Sequence, residues 1–169
     1  NTMVKRLLTL NEIEFGGVKL NIERFEVVGF LKEIISAKSL LLGDSGAKII
    51  FEEKGPLYVW ADEYMIEEVF TNYLVNAIHY VKPDGEIRIY FEKYQGLVRI
   101  NVFNQGENIP DEDINKIYDK FYKADKARTR EYGGNGIGLS IVAATMQAHG
   151  KGYGVYNVPE GVVFYFDLD

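Results

Sequence analysis

Cysteine is absent from all 169 residues, which excludes disulfides, thiolate metal sites and a cysteine nucleophile. Its absence also fits a reducing compartment. Long apolar runs are missing too: none approaches the ~18 residues that a membrane-spanning helix needs. No basic, apolar, small-residue leader opens the chain. Positive charge is in deficit, with a formal net charge of −6 and most basic residues dispersed among acids. That leaves no basic face for nucleic acid. Histidine occurs only as His79 and His149. Asn1 is an unusual start, so the chain is expected to be a piece of a longer one.

What is present is ordinary globular composition, 47% hydrophobic and 26% charged, in a length that suits one domain with a substantial core. One positive cluster stands out, formed by Lys120, Lys123, Lys126, Arg128 and Arg130. Beside a glycine-rich turn in an acidic chain it suggests a small anionic ligand; a solvated loop is the plainer alternative.

Periodicity divides the chain into alternating elements. Met3 to Phe15 reads as the tail of an amphipathic helix stopped by Gly16–Gly17. A strand over Leu20–Val28 and a helix over Phe30–Leu42 follow. Lys48–Glu53 and Leu57–Ala61 look like a hairpin around Gly55–Pro56. Asp62 is an N-cap candidate for a helix to about Val81, with Ile66, Val69, Phe70, Tyr73, Leu74, Ala77 and Ile78 on its apolar side. Two strands, Glu86–Tyr94 and Leu97–Phe103, precede a loop at Asn104–Pro110 and a polar helix from Asp111 to about Phe121. A helix from Ile137 to Ala148 ends at Gly150. Strands Gly154–Asn157 and Gly161–Leu168 finish the chain. The expected architecture is α/β, a two-layer sandwich of a mixed sheet packed on one face by helices.

Three short stretches carry the chemistry. Asn72 and Asn76 are four apart on one helix and share a side, Tyr80 continues the row, and His79 lies beside it. A solvated polar face reads similarly, but asparagine is a mediocre helix former, and an amide oxygen is a sound hard ligand for Mg²⁺. Asn104–Gln105–Gly106 ends a strand, where an amide oxygen could accept from an adenine amino group or merely serve a turn. Gly133–Gly134–Asn135–Gly136–Ile137–Gly138–Leu139 gives flexible backbone that opens a helix, a junction suited to phosphate. In this order the three point to an ATP-binding domain.

The same order resembles the catalytic, ATP-binding domain of bacterial two-component sensor histidine kinases, members of the Bergerat-fold superfamily. Asn72-Tyr73-Leu74-Val75-Asn76-Ala77-Ile78-His79-Tyr80 is similar to the N box of that family. Asn104–Gly106 matches its first glycine box, Lys120-Phe121-Tyr122-Lys123 its F box, and Gly133 to Val142 its second glycine box. The resemblance covers about residues 20 to 169. It implies a catalytic domain over residues 17–169, preceded at 1–16 by the tail of a dimerisation and phosphotransfer helix.

The resemblance further implies a set of roles. Asn76 would ligate Mg²⁺, Asn72 would meet the phosphates, Tyr80 would pack on adenine, and Asn104 would read its amino group. His79, Gly106, Ile109, Phe121, Tyr122, Gly134, Asn135, Ile137 and Leu139 would complete the ATP site. Gly136 and Gly138 would let backbone approach the phosphates, and Lys123, in a lid over residues 122 to 135, would reach the terminal phosphate. ATP and Mg²⁺ are thus the implied ligands. The implied partners are the protein's own dimerisation domain and a response regulator receiver domain, with no nucleic acid. The whole protein would be a membrane-anchored homodimer, this domain lying on the cytoplasmic side.

Four positions depart from the family pattern: Asn104 replaces an aspartate, Asn108 a second glycine, His79 a common lysine, and Lys123 the usual lid arginine. Related ATPases of the gyrase, mismatch-repair and heat-shock type use a glutamate four residues before the metal asparagine. Asn72 stands there and cannot accept a proton. A serine kinase of this fold, or a nucleotide-binding regulatory module without kinase activity, are the alternatives. Neither histidine stands in a phosphoacceptor context, so the chain is expected to bind Mg·ATP, to remain largely monomeric, and not to phosphorylate itself.

Overall fold

The structure, a computed structural model, describes residues 2–53, 55–120, 122 and 137–169. The helices are α1 (Thr2–Glu14), α2 (Val27–Ala37), α3 (Ser39–Ser45), α4 (Glu63–Tyr80), α5 (Asp111–Ile114) and α6 (Gly138–His149). The strands are β1 (Glu23–Glu26), β2 (Lys48–Phe51), β3 (Tyr58–Ala61), β4 (Glu86–Tyr94), β5 (Leu97–Gln105), β6 (Tyr153–Val158) and β7 (Gly161–Leu168).

Five strands form one mixed sheet in the order β2-β4-β5-β7-β6, parallel only between β2 and β4. On β4 the alternation decides which face is covered: Ile87 and Ile89 are fully buried, while Arg88 and Tyr90 point to the other side. Register aligns Ile89 with Val102 and Val102 with Phe164, so the same inner face collects Ile100, Phe164 and Phe166. Helices α2, α4 and α6 cover that face, and their apolar sides join one core with the strands. The expected two-layer α/β sandwich is therefore the observed one. The outer face is held by polar pairs instead. Arg99 makes a two-pronged contact to Asp167 at 2.8 and 3.1 Å and stacks 3.9 Å over the Tyr165 ring.

Three local expectations are corrected. Lys48–Glu53 and Leu57–Ala61 do not form a hairpin, because β2 pairs with β4 while β3 pairs with β1 in a separate two-stranded sheet. The helix expected from Phe30 begins earlier, at Val27, because Glu26 caps it through the amides of Val28 and Gly29. It breaks at Lys38, and α3 ends at Gly46, whose φ of 71° is a left-handed cap. The polar helix after Pro110 closes after one turn at Ile114.

The helix α1 packs beside this core rather than in it. Leu10 and Ile13 meet Met65, Ile141 and Ala144 in a small second cluster. Lys120 reaches Glu14 at 3.1 Å across the same junction.

One polar network runs through the apolar layer. The Tyr73 hydroxyl donates to the carbonyl of Tyr165 at 3.0 Å and meets the Tyr118 hydroxyl at 2.9 Å. Ser140 in turn donates to the Tyr118 carbonyl at 3.0 Å. The network ties α4, β7, the segment after α5 and the start of α6. Burial raises the pKa of both tyrosines well above the usual ~10. A raised pKa in the folded state stabilises below the unfolded value and is lost as pH climbs past it. Stability is therefore expected to decline as pH rises above about 10, and less steeply in Tyr73→Phe. At neutral pH that variant should lose about 1–2 kcal/mol in urea unfolding; equal midpoints and slopes for variant and parent would refute the network's role.

Candidate functional site

The site grows from the two ends of α4. At its start, Asp62 accepts from the Met65 amide at 3.2 Å and from the Asn21 amide at 3.0 Å. The Asp62 N–H donates to His149 Nε2 at 3.1 Å, and His149 Nδ1 donates to the Thr145 carbonyl at 2.8 Å. A ring that accepts at one nitrogen and donates at the other is a neutral imidazole. His149 therefore joins the end of α6 to the start of α4, in place of the cation that a helix C-terminus suggests.

Further along α4, Asn72 is buried and its Nδ2 donates to the Glu68 carbonyl at 2.7 Å. Its Oδ1 faces Gly138, where an added Cβ would stand only 2.6 Å away. Gly138 is thus small because α6 begins directly on the Asn72 amide. Among the described residues no side chain caps α6, and the N–H groups of such a helix start suit an anion.

Asn76 lies one turn on, half-buried, with its Nδ2 buried and without a hydrogen-bond partner among the described residues. His79 is buried and Tyr80 half-buried at the helix end.

The second wall is the end of β5. Asn104 is fully buried, and among the described residues neither its Oδ1 nor its Nδ2 has a hydrogen-bond partner. Such an amide costs about 1–3 kcal/mol per unmet group in a protein interior. Directly after it, Gly106 lies on the Tyr80 carbonyl, where a Cβ would approach to 2.6 Å. That contact locks the end of β5 onto the end of α4. Ile109 is half-buried against the core. Tyr122 is half-buried too, and its hydroxyl bonds to Asp113. That bond, with burial and neighbouring acids, pushes its pKa up to about 12. Ile137 is fully buried, and Leu139 packs against the main core.

The structure thus brings Asn72 to Gly138, and Gly106 to Tyr80. Phe121, Lys123, Gly134, Asn135 and Gly136 lie outside the described residues, as do Lys126, Arg128 and Arg130. Lys120 is committed to Glu14 instead of facing a ligand. Two residues that the motifs did not single out, Asn108 and Asn157, brace the loop after β5. Asn157 brackets the Ile109 backbone at both N–H and carbonyl. The only sign in the sequence was that Asn108 occupies a glycine position.

Among the described residues no group of three or more His, Asp or Glu could hold a metal. A lone amide such as Asn76 fits a magnesium ion that takes its other oxygens from phosphates and water. Among the described residues, buried amides without partners, a close-packed glycine and a helix start without a side-chain cap suit a planar, hydrogen-bonding base with a phosphate tail.

Comparison with known proteins agrees. The chain belongs to the family described as histidine kinase-, DNA gyrase B- and HSP90-like ATPases, whose model matches residues 61–169. It is of the histidine kinase type within that family, an ATP-binding catalytic domain. Sensor histidine kinase WalK of Bacillus subtilis is 33% identical over 150 residues, covering 88% of this chain and 24% of WalK. Sensor protein VanSB of Enterococcus faecalis is 27% identical over 165 residues, covering 98% of this chain and 37% of VanSB. The chain therefore spans only a minor part of these relatives. The solved catalytic domain of histidine kinase ThkA superposes with a TM-score of 0.78 at 29% identity, covering 88% of this chain and 95% of that one. ThkA solved in complex with response regulator protein TrrA gives a TM-score of 0.76 at 27% identity, covering 99% of this chain and 48% of the other.

The contact between Gly138 and Asn72 is directly testable. Gly138→Ala should gain about 1 kcal/mol of helix propensity but lose at least as much by displacing the Asn72 amide. In an Asn72→Ala background the loss should vanish and the gain remain. Additive changes in melting temperature across this double-mutant cycle would refute the contact.

Proposed function

We propose that this domain binds Mg·ATP and transfers the γ-phosphoryl group to a histidine on a dimerisation domain outside the chain. From there it would pass to an aspartate of a response regulator receiver domain. The observation that carries the reading is Asn104, a fully buried amide with both polar atoms unmet. Adenine offers an amino donor for one of them, and bound ligand would relieve the cost of both.

Around that anchor the other roles follow. Tyr80 and Ile109 would flank the base, with Tyr122 near the same rim. His79 would lie below the ribose and phosphates. Asn72 and the N–H groups opening α6, at Ile137, Gly138 and Leu139, would receive phosphate oxygens. Asn76 would hold Mg²⁺, which when bound neutralises phosphate charge. Phe121, Lys123, Gly134, Asn135 and Gly136 would belong to the covering lid, Lys123 reaching the terminal phosphate. These groups would position ATP and stabilise charge on the transferred phosphoryl; Asn72, which stands where the hydrolysing relatives carry a glutamate, is an amide and cannot act as a base toward water. Such a site favours transfer to an acceptor over hydrolysis.

No described helix is long and apolar enough to cross a membrane. By analogy with sensor relatives, the whole protein would be a membrane-anchored homodimer with this domain on the cytoplasmic side. The response regulator solved with ThkA supports a receiver domain as the downstream partner.

Calorimetric titration of Mg·ATP, with Mg·GTP as control, tests the reading. Magnesium-dependent, adenine-selective binding is expected in the parent, weakened at least ~10-fold in Asn76→Ala, about 1.4 kcal/mol. The chain should phosphorylate a supplied dimerisation domain from a relative but not its own His79 or His149. No binding by the parent refutes the proposal. Binding without transfer would favour a regulatory module.

A further inference from the structure

The loop that carries Gly106 and Ile109 is held by a reciprocal pair of asparagines. Asn157 Oδ1 accepts from the Ile109 N–H at 2.9 Å, and its Nδ2 donates to the Ile109 carbonyl at 2.8 Å. In return, Asn108 Nδ2 donates to the carbonyls of Val158 and Gly161, each at 2.8 Å. The Gly106 N–H adds a bond to the Glu160 carbonyl at 3.0 Å. Every one of these bonds joins the loop after β5 to the hairpin end formed by β6, β7 and the turn between them. Gly161, which opens β7, itself lies against the Asn104 backbone carbonyl so closely that no Cβ fits there. The hairpin end therefore meets the Asn104 backbone directly through Gly161 and braces the loop that follows it.

A side-chain amide suits this task because it offers an acceptor and a donor to the N–H and C=O of one residue. A carboxylate could keep the first bond but would face the Ile109 carbonyl with a second acceptor. A glycine at 108 would offer nothing to Val158 or Gly161. We infer that Asn108 and Asn157 are positioning residues for base recognition: acting through the loop, they hold the Asn104–Gly106 edge in register with adenine and so set nucleotide selectivity. This rests on the reading that Asn104 meets the base.

The test joins two measurements on the parent, Asn157→Ala, Asn157→Asp and Asn108→Gly. Amide hydrogen exchange without nucleotide reads the clasp itself; titrations with Mg·ATP and Mg·GTP read selectivity. In Asn157→Ala the Ile109 amide should exchange at least ~10-fold faster, corresponding to about 1.4 kcal/mol of lost protection. Its ATP affinity should fall by a similar factor, with GTP affinity unchanged. Asn157→Asp keeps the acceptor and should retain Ile109 protection and recover part of the ATP preference. Asn108→Gly should narrow the ratio while Ile109 stays bonded to Asn157. Arg99→Ala, which loses an ion pair on the outer face, serves as the stability control and should leave both readouts unmoved.

An Ile109 amide that stays protected in Asn157→Ala overturns the inference. So does an unchanged ATP-to-GTP ratio in a parent that binds ATP. A parent that binds no ATP overturns the functional reading and the positioning role together, and the two failures are thereby told apart.

Discussion

Helix α4 must satisfy two opposed demands, and the rest of the domain is arranged around that constraint. Toward the sheet it buries Ile66, Val69, Phe70, Tyr73, Leu74 and Ala77 completely. On another side it carries Asn72 and Asn76, poor choices for a helix and good ones for a ligand. A helix that spends polar positions this way needs firm anchoring elsewhere. Asp62 caps its start and also receives the Asn21 amide, while Tyr73 bonds across the core to β7 and to Tyr118. Fixed at its start and its middle, α4 can hold two amides in place without being stabilised by them.

The asparagines divide by whether their amides are met within the chain. Asn72, Asn108 and Asn157 all have protein partners: Asn72 bonds within α4 to Glu68, while Asn108 and Asn157 join the loop after β5 to the ends of β6 and β7. Among the described residues, Asn104 and the nitrogen of Asn76 have none. In an ordinary core an unmet amide is a cost of about 1–3 kcal/mol that selection for stability would remove. Asn104 and Asn76 sit where the motif order puts base and metal, whereas the Oδ1 of Asn101, also without a partner among the described residues, lies on β5 outside the motifs. On the proposed reading, stability is given up where the ligand would bind and recovered in the groups that brace that position.

Much of this could be read from residue order, and the misses have a common cause. The hairpin β4–β5, the helix capped by Asp62 and the glycine-opened α6 are local patterns, and the structure repeats them nearly residue for residue. The supposed hairpin around Gly55–Pro56 was also a local pattern. It failed because β2 finds its partner in β4 and β3 in β1, pairings that turn chemistry cannot report. Glu26 was missed as a cap because glutamate usually is not one. The role of His149 at the end of α6 depends on the Asp62 amide, a donor to its Nε2 from far along the chain. The motif residues were legible as chemistry, but the clasp of Asn108 and Asn157 was not. Its partners are backbone groups, and no side-chain pattern encodes those.

An acidic chain that receives a polyanion needs an explanation, and the described part of the site gives one. None of Asn72, Asn76, Tyr80, Asn104, Gly106, Ile109, Ile137, Gly138 and Leu139 carries a charge, and Lys120 is spent on Glu14. Attraction there must come from dipoles: amide groups, and the N–H ends of α6 pointing out of an uncapped turn. Dipoles fixed in a packed framework lose little to reorganisation, act over short range, and are screened by salt less than exposed charges are. They also discriminate by geometry, which point charges do poorly. A net charge of −6 is then no obstacle. It keeps anions from collecting nonspecifically on the surface, and leaves recognition to fixed backbone and amide dipoles.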